Sequence, residues 1–296
     1  VVSVVPLVFA AGCSGGGGPR VTVRGDFGRL PEVSFPKGAP GGSLAVRTLS
    51  RGRGPAAREG DLVVADYVGY RWAGGGRKLL ASSFAAGRPE AFPTWDLVPG
   101  LRRAFAGARA GSRVVASIPP KDGFGDRGDA ARQIEAGDTL VYVLDVRGVY
   151  SPEAGPRGKG QPPVEARLPR VAAGRAPAVT VPRVAPPAGL QVRTLVRGDG
   201  PVVRRGQLLV VEYEGVFWRD GRVFGSSWAA GHPSGLMIGI GQVMKGWDQG
   251  LVGQRVGSRM LLVVPPSLGY GARGLAQAGI RGDDTLVFVV DVLGAH

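Results

Sequence analysis

Apolar and polar residues alternate with a period of two along much of the chain. Leu208-Leu-Val-Val-Glu-Tyr-Glu-Gly215 mixes β-branched, aromatic and charged residues as a half-buried strand does, and Arg259-Met-Leu-Leu-Val-Val264 and Leu286-Val-Phe-Val-Val-Asp-Val-Leu293 predict two further strands. Asp220-Gly221, between strand-like segments, predicts a hairpin turn. One stretch departs from this pattern. Val243-Met-Lys-Gly-Trp-Asp-Gln-Gly-Leu-Val252 carries apolar residues at 243, 244, 247, 251 and 252, a helical spacing over about two turns. Several antiparallel strands with one short α-helix imply an α+β domain in which a curved antiparallel β-sheet wraps on the helix.

The pattern occurs twice. Val46-Arg-Thr-Leu49 recurs as Val192-Arg-Thr-Leu195, a shift of 146. The same shift carries Tyr67 to Tyr213, Gly100 to Gly246, Pro119-Pro120 to Pro265-Pro266, Gly123-Phe-Gly125 to Gly269-Tyr-Gly271, and Thr139-Leu-Val141 to Thr285-Leu-Val287. At Ser82-Ser83, matched to Ser226-Ser227, the shift drops to 144, so the first copy carries a two-residue insertion near Gly74-Gly75-Gly76. Each copy is too long for a solenoid unit, so the copies read as tandem domains, 31–150 and 177–296. The Pro/Gly-rich 151–176 between them predicts an extended linker.

Composition narrows the chemistry. The 296 residues hold one Cys and two His, which excludes a disulfide framework and makes His-based metal or nucleophile chemistry improbable; no metal or cofactor is expected. The net charge of +14 is almost all Arg and is spread without a run of five, which predicts a solvated basic surface and no nucleic-acid site. A nonspecific binder of anionic polymers would rest on that charge alone. No apolar run approaches the roughly 18 residues of a membrane-spanning helix.

The segment 1–12 is apolar and ends in small residues, like the h-region of a secretory signal. Ala10-Ala-Gly-Cys13 follows, then a Gly tract; this resembles a bacterial lipobox, with Cys13 the lipid attachment site and 13–30 a flexible stalk. The expected location is the outer face of a cell membrane, tethered but not spanning, or secreted.

Ser/His/Asp sets, CxxC, HExxH and P-loop spacings are all absent. What remains is aromatic: in the second copy Tyr213, Phe224, Trp247, Tyr270 and Phe288 recur at element ends. With Gly198-Asp-Gly-Pro201, Val211-Glu-Tyr-Glu-Gly215, Val223-Phe-Gly-Ser-Ser227, Gln242-Val-Met-Lys-Gly-Trp-Asp-Gln-Gly250, Pro265-Pro-Ser-Leu-Gly-Tyr-Gly271 and Asp284-Thr-Leu-Val-Phe-Val-Val-Asp291, this copy resembles the FKBP-type peptidyl-prolyl cis-trans isomerases, the macrolide-binding immunophilins. Lipobox, stalk and two such domains together look like extracytoplasmic isomerase lipoproteins of Gram-positive, high-GC bacteria.

The resemblance implies a tandem FKBP-like fold and an apolar proline pocket in the second copy. Trp247 is then its floor and Tyr213, Phe224 and Phe288 its walls. Val243 and Met244 stand at the rim, with the Met244 N–H as a donor. Tyr270 presents a hydroxyl from a loop, and Ile280 closes the far side. Gly225 stands where the family usually has Asp, so a polar wall group is lost. The first copy keeps Tyr67, Val98 and Ile134 and has Tyr142 for Phe. It carries Leu80 in the Phe position, Ala81 in the Asp position, Leu101 in the Trp position and Phe124 in the Tyr position, which predicts a degenerate pocket. The implied partners are proline-containing unfolded or exported polypeptides, possible macrolide ligands and a membrane reached only through the lipid, with the protein a monomer. The implied activity is prolyl isomerisation in the folding of exported proteins; a non-catalytic peptide-binding or holdase module is the alternative.

Overall fold

The computed structural model describes residues 20–73, 76–162 and 165–296; the expected signal segment, Cys13, the start of the stalk and the Gly74-Gly75 insertion lie outside them. Each repeat folds around its own antiparallel sheet. In the second, strands Gln191–Gly198, Arg259–Val264, Leu286–Ala295, Leu208–Phe217 and Val223–Ser226 lie side by side in that order, with Ser234–Met237 also pairing Leu208–Phe217. In the first, Ala45–Ser50, Arg113–Ile118, Thr139–Tyr150, Leu62–Ala73 and Gly76–Ser82 take the same order, with Glu90–Pro93 beside Leu62–Ala73.

A helix forms where the 243–252 spacing places it, at Lys245–Leu251, and its counterpart in the first copy is Pro99–Phe105. Glycine allows the close approach: a Cβ on Gly246 would stand 2.5 Å from Val264 Cγ1. Each domain also has a one-turn helix, Ser83–Ala86 or Ser227–Ala230, capped by the hydroxyl of Ser82 or Ser226.

Strand alternation sorts the core into two layers. Leu286, Phe288, Val290 and Val292 point inward to the helix with Leu209, Val211, Trp247 and Leu251, while Val287 and Val289 point outward to Val216, Trp218 and Trp228. Leu208–Phe217, expected to be half-buried, is also covered on both faces, Leu209 and Val211 in the inner layer and Leu208 and Val210 buried on the other side.

The outer cover corrects two expectations. Residues 20–30 are not all stalk: Thr22–Arg24 pairs with Glu32–Ser34, and Val21 is buried against Val68, Trp72 and Val115. The 151–176 segment is not a free linker: Gly158–Gly160 adds an edge strand to Gln191–Gly198, Leu168 is buried against the outer layer, and Arg170–Val171 pairs with Val179–Thr180. Both domains thus begin with a short hairpin laid across the outside of the sheet.

A buried arginine holds each hairpin. Arg113 donates bidentately to Asp145 (2.6 and 2.8 Å) and reaches the Gly25 and Arg29 carbonyls at 2.6 Å each. Arg259 repeats this with Asp291 (2.6 and 2.8 Å) and the Gly174 and Arg175 carbonyls (2.6 and 3.0 Å). Pairing and carbonyl bonds together compensate the desolvation of these cations.

The two domains meet through equivalent faces. Leu62 and Val64 pack with their counterparts Leu208 and Val210, joined by Ala91, Tyr150, Met237 and Leu293. Tyr150 and its counterpart His296 share a 2.5 Å hydrogen bond, and a Cβ on Gly235 would stand 2.8 Å from that of Ala91. Equivalent residues meeting one another is the mark of a two-fold, isologous contact, here within one chain. Trp95 stacks on His232 at 4.0 Å beside it.

Burial and the nearby Arg147 push His296 down to about 4, so it is neutral in the closed pair. A Cβ on Gly294 would stand 1.9 Å from the Tyr150 hydroxyl. Gly294→Val should therefore part the domains: small-angle scattering should show a larger radius of gyration, and the His296 ring protons should titrate near the ordinary histidine value instead of near 4.

Candidate active site

The inner face of the second sheet gathers the aromatic residues over the helix. Trp247, the third residue of Lys245–Leu251, lies with Ile280 and Phe288 in the buried layer, and Tyr213, Phe224, Val243 and Met244 pack against it half-buried. The indole meets Tyr213 at 5.4 Å and 83° and Phe288 at 5.4 Å and 87°, both edge-on. Phe224 meets Phe288 edge-on at 5.6 Å. Such pairs fix ring orientation as well as burying area. The result is a dish with an indole base and aromatic sides.

Tyr270 stands apart from that layer, 37% exposed on the loop after Arg259–Val264, yet near enough for its phenol to act on that of Tyr213. Burial pushes both phenols up, so both are neutral donors at physiological pH. The indole Nε1 is buried without a partner. Among the described residues no group accepts from the Met244 N–H, whose residue caps the helix in an extended conformation. No group of three or more potential metal-ligating side chains exists among the described residues. The dish therefore offers apolar walls and neutral donors.

Two features escape the sequence reading. Asp248 accepts from Gly239 N (2.6 Å) and Gly241 N (2.8 Å), which ties the segment before the helix to its first turn and sets Val243 and Met244 at the rim. Its counterpart in the first copy is Arg102, which cannot accept. Phe217, fully buried, tilts against Phe224 at 4.9 Å from behind. At Gly225 a Cβ would meet only Tyr213, at 3.8 Å, so the wall is open at this point.

The first domain assembles its corresponding residues differently. Leu101 and Ile134 are buried, and Tyr67, Leu80, Val98, Phe124 and Tyr142 pack against the same layer. Leu101 leaves the base without an indole, and the ring mass comes from residues the sequence reading missed: Phe92 stands 5.2 Å from the fully buried Phe105 and 5.4 Å edge-on to Tyr67. Phe92 and Phe105 replace Leu236 and Leu251 of the second copy. The Tyr67 hydroxyl donates to Glu90 (3.3 Å), and the Arg132 guanidinium lies 5.9 Å from the Phe124 ring centre. This site carries two further rings and a tyrosine–glutamate hydrogen bond, and has no indole at its base.

The widest of the molecule's described clefts, about 950 Å³, lies between the domains and is lined by Arg58, Arg109, Arg147, Arg157 and Asp199 among others. It touches neither aromatic group, so ring geometry and not volume singles out the candidate site.

A family model described as FKBP-type peptidyl-prolyl cis-trans isomerase matches residues 54–147 and again 200–293. An FK506-binding protein of Streptomyces anulatus is 43% identical over 117 residues, 40% of this chain and 94% of that protein. FK506-binding protein 1A of Neurospora crassa is 36% identical over 117 residues, 39% of this chain and 93% of that one. The crystal structure of AtFKBP13 is similar at 36% identity, covering 38% of this chain and 96% of that one, with a TM-score of 0.34.

Proposed function

The chain belongs to the FKBP-type peptidyl-prolyl cis-trans isomerase family in both of its domains, and from that premise we propose that it assists the folding of exported proteins, with the working site in the C-terminal domain. The observation that carries this reading is the contrast between the copies. The second keeps an indole base ringed edge-on by Tyr213 and Phe288, and the first has Leu101 there with Phe92 and Phe105 pressed in.

The chemistry asked of the dish is modest. Rotation about a peptide bond faces a barrier of about 18–20 kcal/mol because resonance must be broken. X-Pro bonds populate both isomers and exchange in tens to hundreds of seconds. No bond is made or cut. The twisted amide is less polarised than the planar one and less strongly solvated, so a dry aromatic dish favours it differentially, and differential binding is what raises a rate. The Met244 N–H and the Tyr270 hydroxyl orient the backbone on either side of the proline. The ligands are proline-containing unfolded chains, and a macrolide that presents a similar ring fits the same walls.

The first domain suits binding without turnover. Its pocket, without an indole base, supports a holding role for client chain, and its face-to-face packing on the second domain keeps it near the working site. Export and membrane tethering rest on the apolar 1–12 segment and Cys13; labelling with a radioactive fatty acid that persists in Cys13→Ser would remove the anchor.

Equivalent wall residues give the test of site. Catalysed isomerisation of an X-Pro peptide by the full chain should fall on the order of tenfold in Phe224→Ala and stay unchanged in Leu80→Ala. Loss in Leu80→Ala alone would move the activity to the first domain.

A further inference from the structure

The two copies differ at one strand end in a way that ties the pocket wall to the loop across it. At the end of the long strand the first copy reads Arg71-Trp72-Ala73 and the second Phe217-Trp218-Arg219. In the first, Arg71 reaches across to the loop, with Nη1 2.5 Å from Glu135 Oε1 and 3.7 Å from Asp138 Oδ2. In the second, Arg71's place is taken by Phe217, and the cation stands two residues on, in the turn after the strand. Arg219 pairs with Asp284, the counterpart of Asp138, and its Nη2 donates to the Gly279 carbonyl at 3.3 Å. Asp284 also accepts from Arg281 N at 2.7 Å, so Ile280 is bracketed by two anchored neighbours.

The same guanidinium lies face-on to Phe217, its carbon 3.7 Å from the ring centre. Beyond Phe217 stands Phe224 at 4.9 Å, then Phe288 at 5.6 Å. The wall residue that differs between copies, Leu80 against Phe224, differs together with its backing, Arg71 against Phe217. A ring in the wall comes with a ring behind it and a cation behind that.

We propose that Arg219 is a positioning residue of the second pocket: by stacking on Phe217 and clamping the Gly279–Asp284 turn, it fixes the separation between the Phe224 wall and Ile280 and so sets how tightly a prolyl segment is held. This rests on the second dish being the working site, and it makes Arg219 act on substrate fit while Trp247 keeps its place.

The test uses the full chain and two readouts, one of which needs no turnover. Arg219→Met keeps a long apolar stem and removes the nearer cation, leaving Arg222, whose guanidinium carbon lies 5.2 Å from the Phe217 ring centre. It should raise KM for an X-Pro peptide on the order of fivefold with kcat nearly unchanged, the signature of lost ground-state binding where chemistry is slow relative to release. The Ile280 δ-methyl resonance should shift and broaden in the same variant. Arg219→Lys restores a charge for Asp284 but no planar face for Phe217, so it should recover the methyl resonance and only part of KM. A shifted methyl with KM unchanged would overturn the positioning role, and an unmoved methyl would overturn the clamp. A chain whose X-Pro turnover is indifferent to Trp247 would instead sink the site assignment, which the methyl signal distinguishes because it is read without turnover.

Discussion

Trp247→Leu, which installs the first domain's residue in the second, should lower kcat/KM for an X-Pro peptide by roughly ten- to a hundredfold. The magnitude comes from the ring geometry. Tyr213 and Phe288 each meet the indole edge-on at 5.4 Å, and each such pair contributes about 0.5–1.5 kcal/mol beyond burial. Losing both removes about 1–3 kcal/mol of wall and base order, and each 1.36 kcal/mol is a factor of ten in rate. Leucine also fills less of the space, so proline would rest on a narrower and more mobile base. Thermal unfolding beside the assay separates this from global damage: the variant should melt cooperatively, a few degrees lower, and show the same reduced rate well below its midpoint. A variant as fast as the wild type would show that the indole is core and nothing more. The reciprocal change, Leu101→Trp, offers no rescue on this view, because Phe92 and Phe105 already occupy the ring space.

Much of this site was legible in the sequence because its members are large, aromatic and spaced by elements with a clear period. The 146-residue shift set the domain count, the period-two strands and the 243–252 spacing set the elements, and the family resemblance named Tyr213, Phe288 and Trp247 as neighbours. What stayed hidden depends on the backbone or on pairs. The N-terminal hairpins are held by the Gly25, Arg29, Gly174 and Arg175 carbonyls, which carry no side-chain signature. Their one readable trace is the recurrence of Arg113 with Asp145 as Arg259 with Asp291. The strand at 158–160 is Gly-Lys-Gly, whose composition favours a linker; an open sheet edge recruits it all the same. The domain contact was hidden because a strand buried by its own core and one buried by a neighbouring domain read alike. Asp248 sits in a helix whose polar positions predict solvent, yet it caps two loop N–H groups.

The second large effect lies behind the pocket, where one carboxylate lacks the directly paired arginine of its counterpart, with only the charge of Arg175 acting on it. On the outer face of the first sheet Asp66 and Asp145 are cross-strand neighbours and each has its own arginine, Arg147 and Arg113. In the second, Glu212 and Asp291 are the neighbours, Arg259 serves Asp291, and Arg147's counterpart is Leu293, which is spent on the domain contact. Glu212 is fully buried, accepts from the Ser227 hydroxyl through Oε2, and has no partner at Oε1. Burial pushes it up to about 7 from its ordinary 4.5. The folded chain therefore holds this proton through a range in which the unfolded chain has lost it, and stability falls as pH rises from 4.5 to about 7. At about 1.36 kcal/mol per unit the loss comes to about 3 kcal/mol above neutrality. His296 runs the other way: its folded value of about 4 lies below the ordinary 6.5, so stability is lost as pH falls between those values. Through the shared window the two slopes oppose and largely cancel. Glu212→Gln keeps the shape and removes the charge. In urea it should leave stability near that of the wild type at pH 4, raise it by up to about 3 kcal/mol at pH 8, and expose the rising His296 slope in between. The same difference from wild type at both pH values would show that Glu212 is already served by a cation, and that the loss of an arginine at position 293 is without electrostatic consequence.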